Sequence, residues 1–212
     1  MIQFQGIRPI IFSGIDTELL LFLPILFAAV FLAWVTLKRT PKYAKDRKLN
    51  VIAISVMAVL SFGMYLIFGL SVNLLKEILL TDAFLFASVS DFRIRKVPDW
   101  VSIVVATLGL VFVPGGKLLW NAVAGAVAFG FFFLAAIISK NKIGGADVKF
   151  IAAAMFVCGF PEGLAGLIRG LLLSVIGTLI QNRKTKSKDK TLPMVPYLAV
   201  GFLTAFMEEF NQ

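Results

Sequence analysis

The sequence predicts an all-α polytopic membrane protein of about eight transmembrane helices, with both termini extracytoplasmic. Three observations predict it. Hydrophobic residues make up 59% of the 212-residue chain and charged residues only 16%, where soluble domains carry about a quarter charged. The apolar residues run continuously for lengths near the ~20 needed to cross a bilayer as a helix, instead of alternating as in barrel strands. The basic residues fall into alternate loops, as crossing helices require.

In chain order, the apolar segments are 18–37, 51–70, 74–90, 98–113, 118–138, 148–160, 163–180 and 193–210. The first lacks the basic start, short apolar core and small-residue cleavage site of a signal peptide ahead of it, and reads as a retained span. Short turns are expected around Ser71–Asn73, Pro114–Lys117 and Pro161–Glu162. Loops 38–50, 91–99, 139–149 and 181–192 hold 17 of the 21 Lys and Arg residues. All four lie on one face if every segment crosses, and the positive-inside rule makes that face cytoplasmic. Topology therefore accounts for the net charge of +9 better than nucleic acid does, and the run "QNRKTKSKDK" (181–190) suits a solvated loop near anionic lipid. The fourth and sixth segments are thin, about 20–24 Å long at about 1.5 Å per residue. The fifth, "NAVAGAVAFGFFFLAAII", carries Ala122, Gly125, Ala126, Ala128 and Gly130, which suit close helix packing.

The composition excludes several chemistries. With no histidine, neither imidazole-dependent nucleophilic catalysis nor an imidazole metal site can form. With one cysteine, Cys158, no intramolecular disulfide or cysteine zinc site can form. No metal or cofactor is expected. Any acid–base work falls to carboxylates, Lys, Tyr or that cysteine.

Of the twelve acidic residues, Asp16, Glu18, Glu77, Glu162, Glu208 and Glu209 are expected at the outer face, and Asp46, Asp99 and Asp189 in basic inner loops. Asp82, Asp91 and Asp147 remain. Asp91 ends the third segment in "ASVSDFRIRKVPDW" (87–100), and Asp147 opens the sixth in "GGADVKF" (144–150). The topology puts both at the cytoplasmic boundary. Two carboxyls in one site cannot both ionise cheaply, so one proton is shared. The ionised member can then take a proton from water while the other donates to a carbonyl, hydrolysing an amide without histidine or metal. The structural alternatives are a helix cap for Asp147, favoured by the helix dipole, and an interfacial anchor for Asp91 facing Arg93 or Arg95. Gly144 and Gly145 permit close backbone approach before a helix start. Asp82 is nine residues from Asp91, on the opposite face of one helix and about 13 Å away. It reads as a protonated interhelical hydrogen-bond donor, or as a functional intramembrane acid.

These motifs resemble those of the type IV prepilin peptidases. "SDFRIRKVPD" (90–99) is similar to that family's first active-site motif, an Asp-x-Arg followed by an apolar residue and Pro. "GGADVKF" is similar to its second, Gly-x-Gly-Asp, with Ala146 in place of the last glycine. "LPMVPYLAVG" (192–201) is similar to its C-terminal Pro-x-x-Pro segment. The three occur in family order and cover about 75–201. The resemblance implies a membrane aspartyl endopeptidase that cleaves the basic leader of prepilin-like or archaellin-like precursors at the cytoplasmic face. Asp91 and Asp147 would be the catalytic pair, Gly144 would shape the loop carrying Asp147, and the partners would be membrane-inserted substrate peptides and the lipid bilayer, not nucleic acid. Arg93 and Lys149 would snorkel at the interface, or else hold down a carboxylate or contact substrate. Pro193 and Pro196 would mark a helix entry, or a break near the site.

Residues 1–73 are expected to form an N-terminal pair of helices with a basic cytoplasmic loop, and 74–212 a catalytic core of about six. Larger bacterial members carry two Cys-x-x-Cys pairs between the first two spans, linked to N-methylation. "KRTPKYAKDRKLN" (38–50) has no cysteine, so no methyltransferase activity is expected. Two other readings use the same acids. A small proton-coupled transporter would relay protons through Asp82, Asp91 and Asp147 and would show inverted-repeat symmetry. A presenilin-type protease would call for Tyr-Asp where Ser90 precedes Asp91, and Pro-Ala-Leu where "MVPYLA" stands.

Overall fold

A computed structural model describes residues 17–39, 47–139, 144–184 and 193–209. Among these the chain is all-helical: α1 (Thr17–Arg39), α2 (Arg47–Phe68), α3 (Val72–Ile94), α4 (Asp99–Phe112), α5 (Gly115–Ile138), α6 (Gly145–Cys158), α7 (Phe160–Lys184) and α8 (Val195–Glu209). Four stretches are long and apolar enough to cross a membrane: Leu19–Lys38, Lys48–Phe68, Gly115–Ile138 and Phe160–Gln181. Helix α3 is as long but carries Lys76, Glu77, Asp82, Asp91 and Arg93. Helices α4 and α6 have 14 residues each, or about 21 Å, so both remain thin. Large side chains stand bare on the outside, Ile138 at 81% and Leu119 at 74% exposure, a surface that only lipid or a partner would cover. The basic residues at 40–46, 140–143 and 185–190, on which much of the orientation argument rests, lie outside the described residues.

The turns differ from expectation by one or two residues. Helix α3 starts at Val72 after Gly69, whose φ is +59°. Helix α7 starts at Phe160, so the expected turn at Pro161–Glu162 is already helical; Pro is at home in a first turn, where its missing N–H is not needed. The chain reverses instead at Gly159, at φ 78° and ψ −171°, a conformation nearly closed to other residues. A Cβ there would also lie 2.7 Å from Oδ1 of Asn121.

Two compact units are present, Met1–Asp82 and Ala83–Gln212. In the first, α1 packs on α2, with Phe22 stacked on Tyr65 at 4.1 Å between ring centres. The Thr81 hydroxyl lies 3.4 Å from the Met64 sulfur. Glu77, expected at the outer face, is buried. So is Asp82, and the expected interhelical hydrogen bond from it is not formed among the described residues.

In the second unit α6 is central, packing against α4, α5, α7 and α8. Its sequence is apolar on every side, as a helix surrounded by others must be; Val148, Phe150, Ile151, Ala153, Ala154 and Met155 are all buried. Helices α7 and α8 meet along glycines: a Cβ on Gly201 would strike the Gly166 carbonyl and the Gly170 backbone. There the two backbones approach too closely for any side chain at Gly201. On α5, Gly125 accommodates Ala152 and Phe156 of α6.

Candidate active site

Three helices of the second unit bring their ends together, and one ring cluster holds them. Phe84 of α3 packs on Phe150 of α6 at 5.0 Å, and on Phe206 and Phe202 of α8 at 6.1 and 6.4 Å. Phe84 is seven residues before Asp91, two turns along the same face of the helix. Phe150 follows Asp147 by three residues, and Phe202 follows Val195 by seven. The rings therefore form an apolar layer one to two turns from Asp91, Asp147 and the start of α8.

Asp91 is buried at 7% exposure. Its Oδ2 accepts a hydrogen bond at 3.0 Å from the backbone N–H of Val195. Val195 opens α8, so Asp91 caps that helix from a segment 104 residues away, where the unpaired first N–H groups and the dipole favour a negative charge. Pro193 is buried, and Pro196 lies in the first turn of α8. The two expected roles of these prolines thus coincide: they shape a helix entry, and the entry lies at Asp91.

The motif after Asp91 folds back on it. The Ser90 hydroxyl donates to the Lys96 carbonyl at 2.5 Å, and the Arg95 N–H donates to the Asp91 carbonyl at 3.0 Å. Arg95 takes a left-handed φ of 54°. Its positive charge acts on the Asp91 carboxylate and lowers its pKa; Arg93, two residues after Asp91, is half-buried.

Asp147 stands in the first turn of α6. Its N–H donates to the Gly144 carbonyl at 3.0 Å. A Cβ on Gly144 would lie 2.9 Å from Asp147 Oδ2, while one on Gly145 would meet nothing within 4 Å. Gly144 therefore makes room for the carboxylate, and Gly145 leaves the helix end bare. Ala146, in the place of the family glycine, lies in the first turn of α6 without a positive φ, so the backbone there does not require glycine.

Asp91 and Asp147 both lie at the ends of their apolar segments, outside 74–90 and 148–160. Burial pushes the Asp147 carboxyl up to about 6, and the negative charge of Asp91 adds to the shift, against a backbone hydrogen bond at Gly144. Burial also raises Asp91, opposed by the Val195 N–H, the Arg95 charge and the Met194 backbone. The charge of Asp91 thus acts on the Asp147 carboxyl.

Lys149 does not approach this pair as a counter-ion. Its Nζ bonds Oδ1 of Asp99 at 2.9 Å, the residue expected to be a loop acid and found instead at the start of α4. The sequence reading missed this ion pair. Its one available signal was the Pro98-Asp99 step, a helix start with an acid in the first turn.

Residues 78–181 match the type IV leader peptidase family. A curated relative, the prepilin leader peptidase/N-methyltransferase of Bacillus subtilis (strain 168), is 26% identical over 148 residues, covering 66% of this chain. The chain spans 58% of the length of that relative. No solved structure matches. Both motif aspartates, Asp91 and Asp147, fall inside the matched stretch, and it is this stretch that is similar to the type IV leader peptidase family.

Proposed function

We propose that the protein is a membrane aspartyl endopeptidase that removes the basic leader from prepilin-like or archaellin-like precursors at the cytoplasmic face. Asp91 and Asp147 are its catalytic pair, residues 74–212 its peptidase core, and residues 1–73 an N-terminal helix pair. The observation that carries the reading is that the charge of Asp91, a buried carboxyl on α3, is among the causes that raise Asp147, a half-buried carboxyl on α6. Such a pair holds one proton between two oxygen acids. One carboxylate accepts a proton from the attacking water while the other, protonated, donates to the peptide carbonyl, and the roles reverse as the amine leaves. The substrate is a membrane-inserted helix whose scissile bond sits at the interface. With no cysteine pairs in 38–50, cleavage proceeds without N-methylation.

The test is incubation of the purified chain in proteoliposomes with a panel of prepilin and archaellin leaders, reading product N-termini by mass spectrometry. Cleavage at one bond is expected, and Asp91→Asn and Asp147→Asn are each expected to abolish it while the fold is kept. Full activity in either variant refutes the pair. Ion flux without peptide cleavage would favour a transporter instead.

A further inference from the structure

Beside the carboxylates, on the other side of α6, the second unit carries a groove of about 720 Å³ between α4, α5 and α6. Small residues line its length, among them Ala106, Ala126 and Ala153, and Asp99, Ser102 and Lys149 gather at one end. Ser102 is only 8% exposed, and its hydroxyl finds no hydrogen-bond partner among the described residues. The residue lines the groove, so its hydroxyl is available to hydrogen-bond a polar group of an occupant. We propose that this groove seats the substrate: the apolar helix that follows the scissile bond packs against the small residues, and Ser102 and the Asp99–Lys149 pair contact its polar leading end. The inference rests on the peptidase reading above.

The distribution of polarity chooses the occupant. An acyl chain offers Ser102 nothing to bond. A seam between two copies of the chain has no need to concentrate its polar groups at one end. Here they sit at the end of α6 that carries Asp147, two residues from Lys149. Two residues turn about 200° around a helix, so Asp147 and Lys149 point to opposite sides. A chain leaving the groove must therefore pass over the start of α6 to reach the carboxylates. Gly144 and Gly145 carry no side chain there, and the space at Gly145 is open. A helix is about 10 Å wide, and an extended chain covers about 3.3 Å per residue. About three residues thus separate the scissile bond from the first residue seated in the groove.

The test uses the full chain in proteoliposomes and the panel precursor that the wild type cleaves. A photo-crosslinking residue at Ile103, which is 63% exposed on α4, is introduced into the Asp147→Asn background. Crosslinks to the precursor are expected about three or more residues downstream of the scissile bond. In parallel, Ala126→Trp, which fills the groove, is expected to raise KM about tenfold with kcat nearly unchanged, while Ile176→Trp, on an exposed face of α7, changes neither. Crosslinks to lipid alone, to a second copy, or to the leader side would overturn the groove, as would a wild-type KM for Ala126→Trp. Those failures leave the peptidase reading standing if Asp147→Asn is inactive; an active Asp147→Asn would instead refute the peptidase reading itself.

Discussion

Gly144→Ala tests the site with a single methyl group. Gly144 has φ −67° and ψ 133°, extended backbone that alanine adopts freely. The substitution therefore strains nothing locally, and by restricting the unfolded chain it stabilises by up to about 1 kcal/mol. The new Cβ, however, lies 2.9 Å from Oδ2 of Asp147, where ordinary contact begins at 3.4 Å. The carboxylate must give way by about half an ångström. A misplacement of about 1 Å costs about a hundredfold in rate, so half of it costs about tenfold if the free-energy cost scales with distance. The expected result is a kcat lowered about tenfold, with KM nearly unchanged and thermal stability unchanged or slightly raised. Gly130→Ala on α5 is the control: a Cβ there meets nothing within 4 Å, so activity stays and the helix gains about 0.5–1 kcal/mol. Cleavage kinetics and thermal unfolding in the same detergent read both. A Gly144→Ala enzyme with wild-type kcat would show that the position of Asp147 does not govern the rate, and the argument from the glycine would fall.

Three further outcomes follow from the same geometry. Asp147 titrates at about 6 in the fold against an ordinary 3.8; because the folded state holds the proton more tightly, stability falls as pH rises from 3.8 to about 6. Urea unfolding across that range should show the fall and Asp147→Asn should flatten it, while cleavage by the wild type should decline as pH passes about 6 and the shared proton is lost. Gly159→Ala should destabilise by about 2–4 kcal/mol, of which about 1–3 is backbone strain at a positive φ and the remainder the contact with Asn121; Asn121→Ala should recover only the second part, measured by thermal unfolding of the double variant. Asp99→Asn and Lys149→Gln should each change stability by less than about 1 kcal/mol, since both side chains are half or more exposed and surface pairs contribute little; a larger change, read by the same melts, would mean that the pair fixes the setting of α6.

The sequence made the helices legible because each is an apolar run bounded by charge or by glycine and proline. It also made Asp91 and Asp147 legible, since a carboxylate at the end of an apolar segment is costly and the two stand out in a chain without histidine. What it concealed depends on contacts distant along the chain. The acceptance of the Val195 N–H by Asp91 joins residues 104 positions apart, and no local pattern announces it. Asp99 looked like one more loop acid until α4 and α6 brought it to Lys149. Nor does any local pattern announce the left-handed backbone at Arg95, whose charge acts on Asp91. The turn at Gly159 was placed two residues late because proline is read as a breaker, although within a first helical turn it breaks nothing.

Two carboxyls in one site are useful only if their surroundings differ, because identical surroundings give no reason for the proton to rest on either. Here they differ in a definite sense. Asp91 receives the N–H of Val195 at the start of α8 and the charge of Arg95, and both favour its ionised form. Asp147 has burial and the charge of Asp91 against it, with only the backbone at Gly144 in its favour. On the proposed function, the same helix start that hydrogen-bonds Asp91 thus also biases the shared proton toward Asp147. The glycine seam between α7 and α8 sets the position of that helix start. On the proposed function, the close packing of two helices that carry neither carboxylate decides which of the two acids waits with the proton.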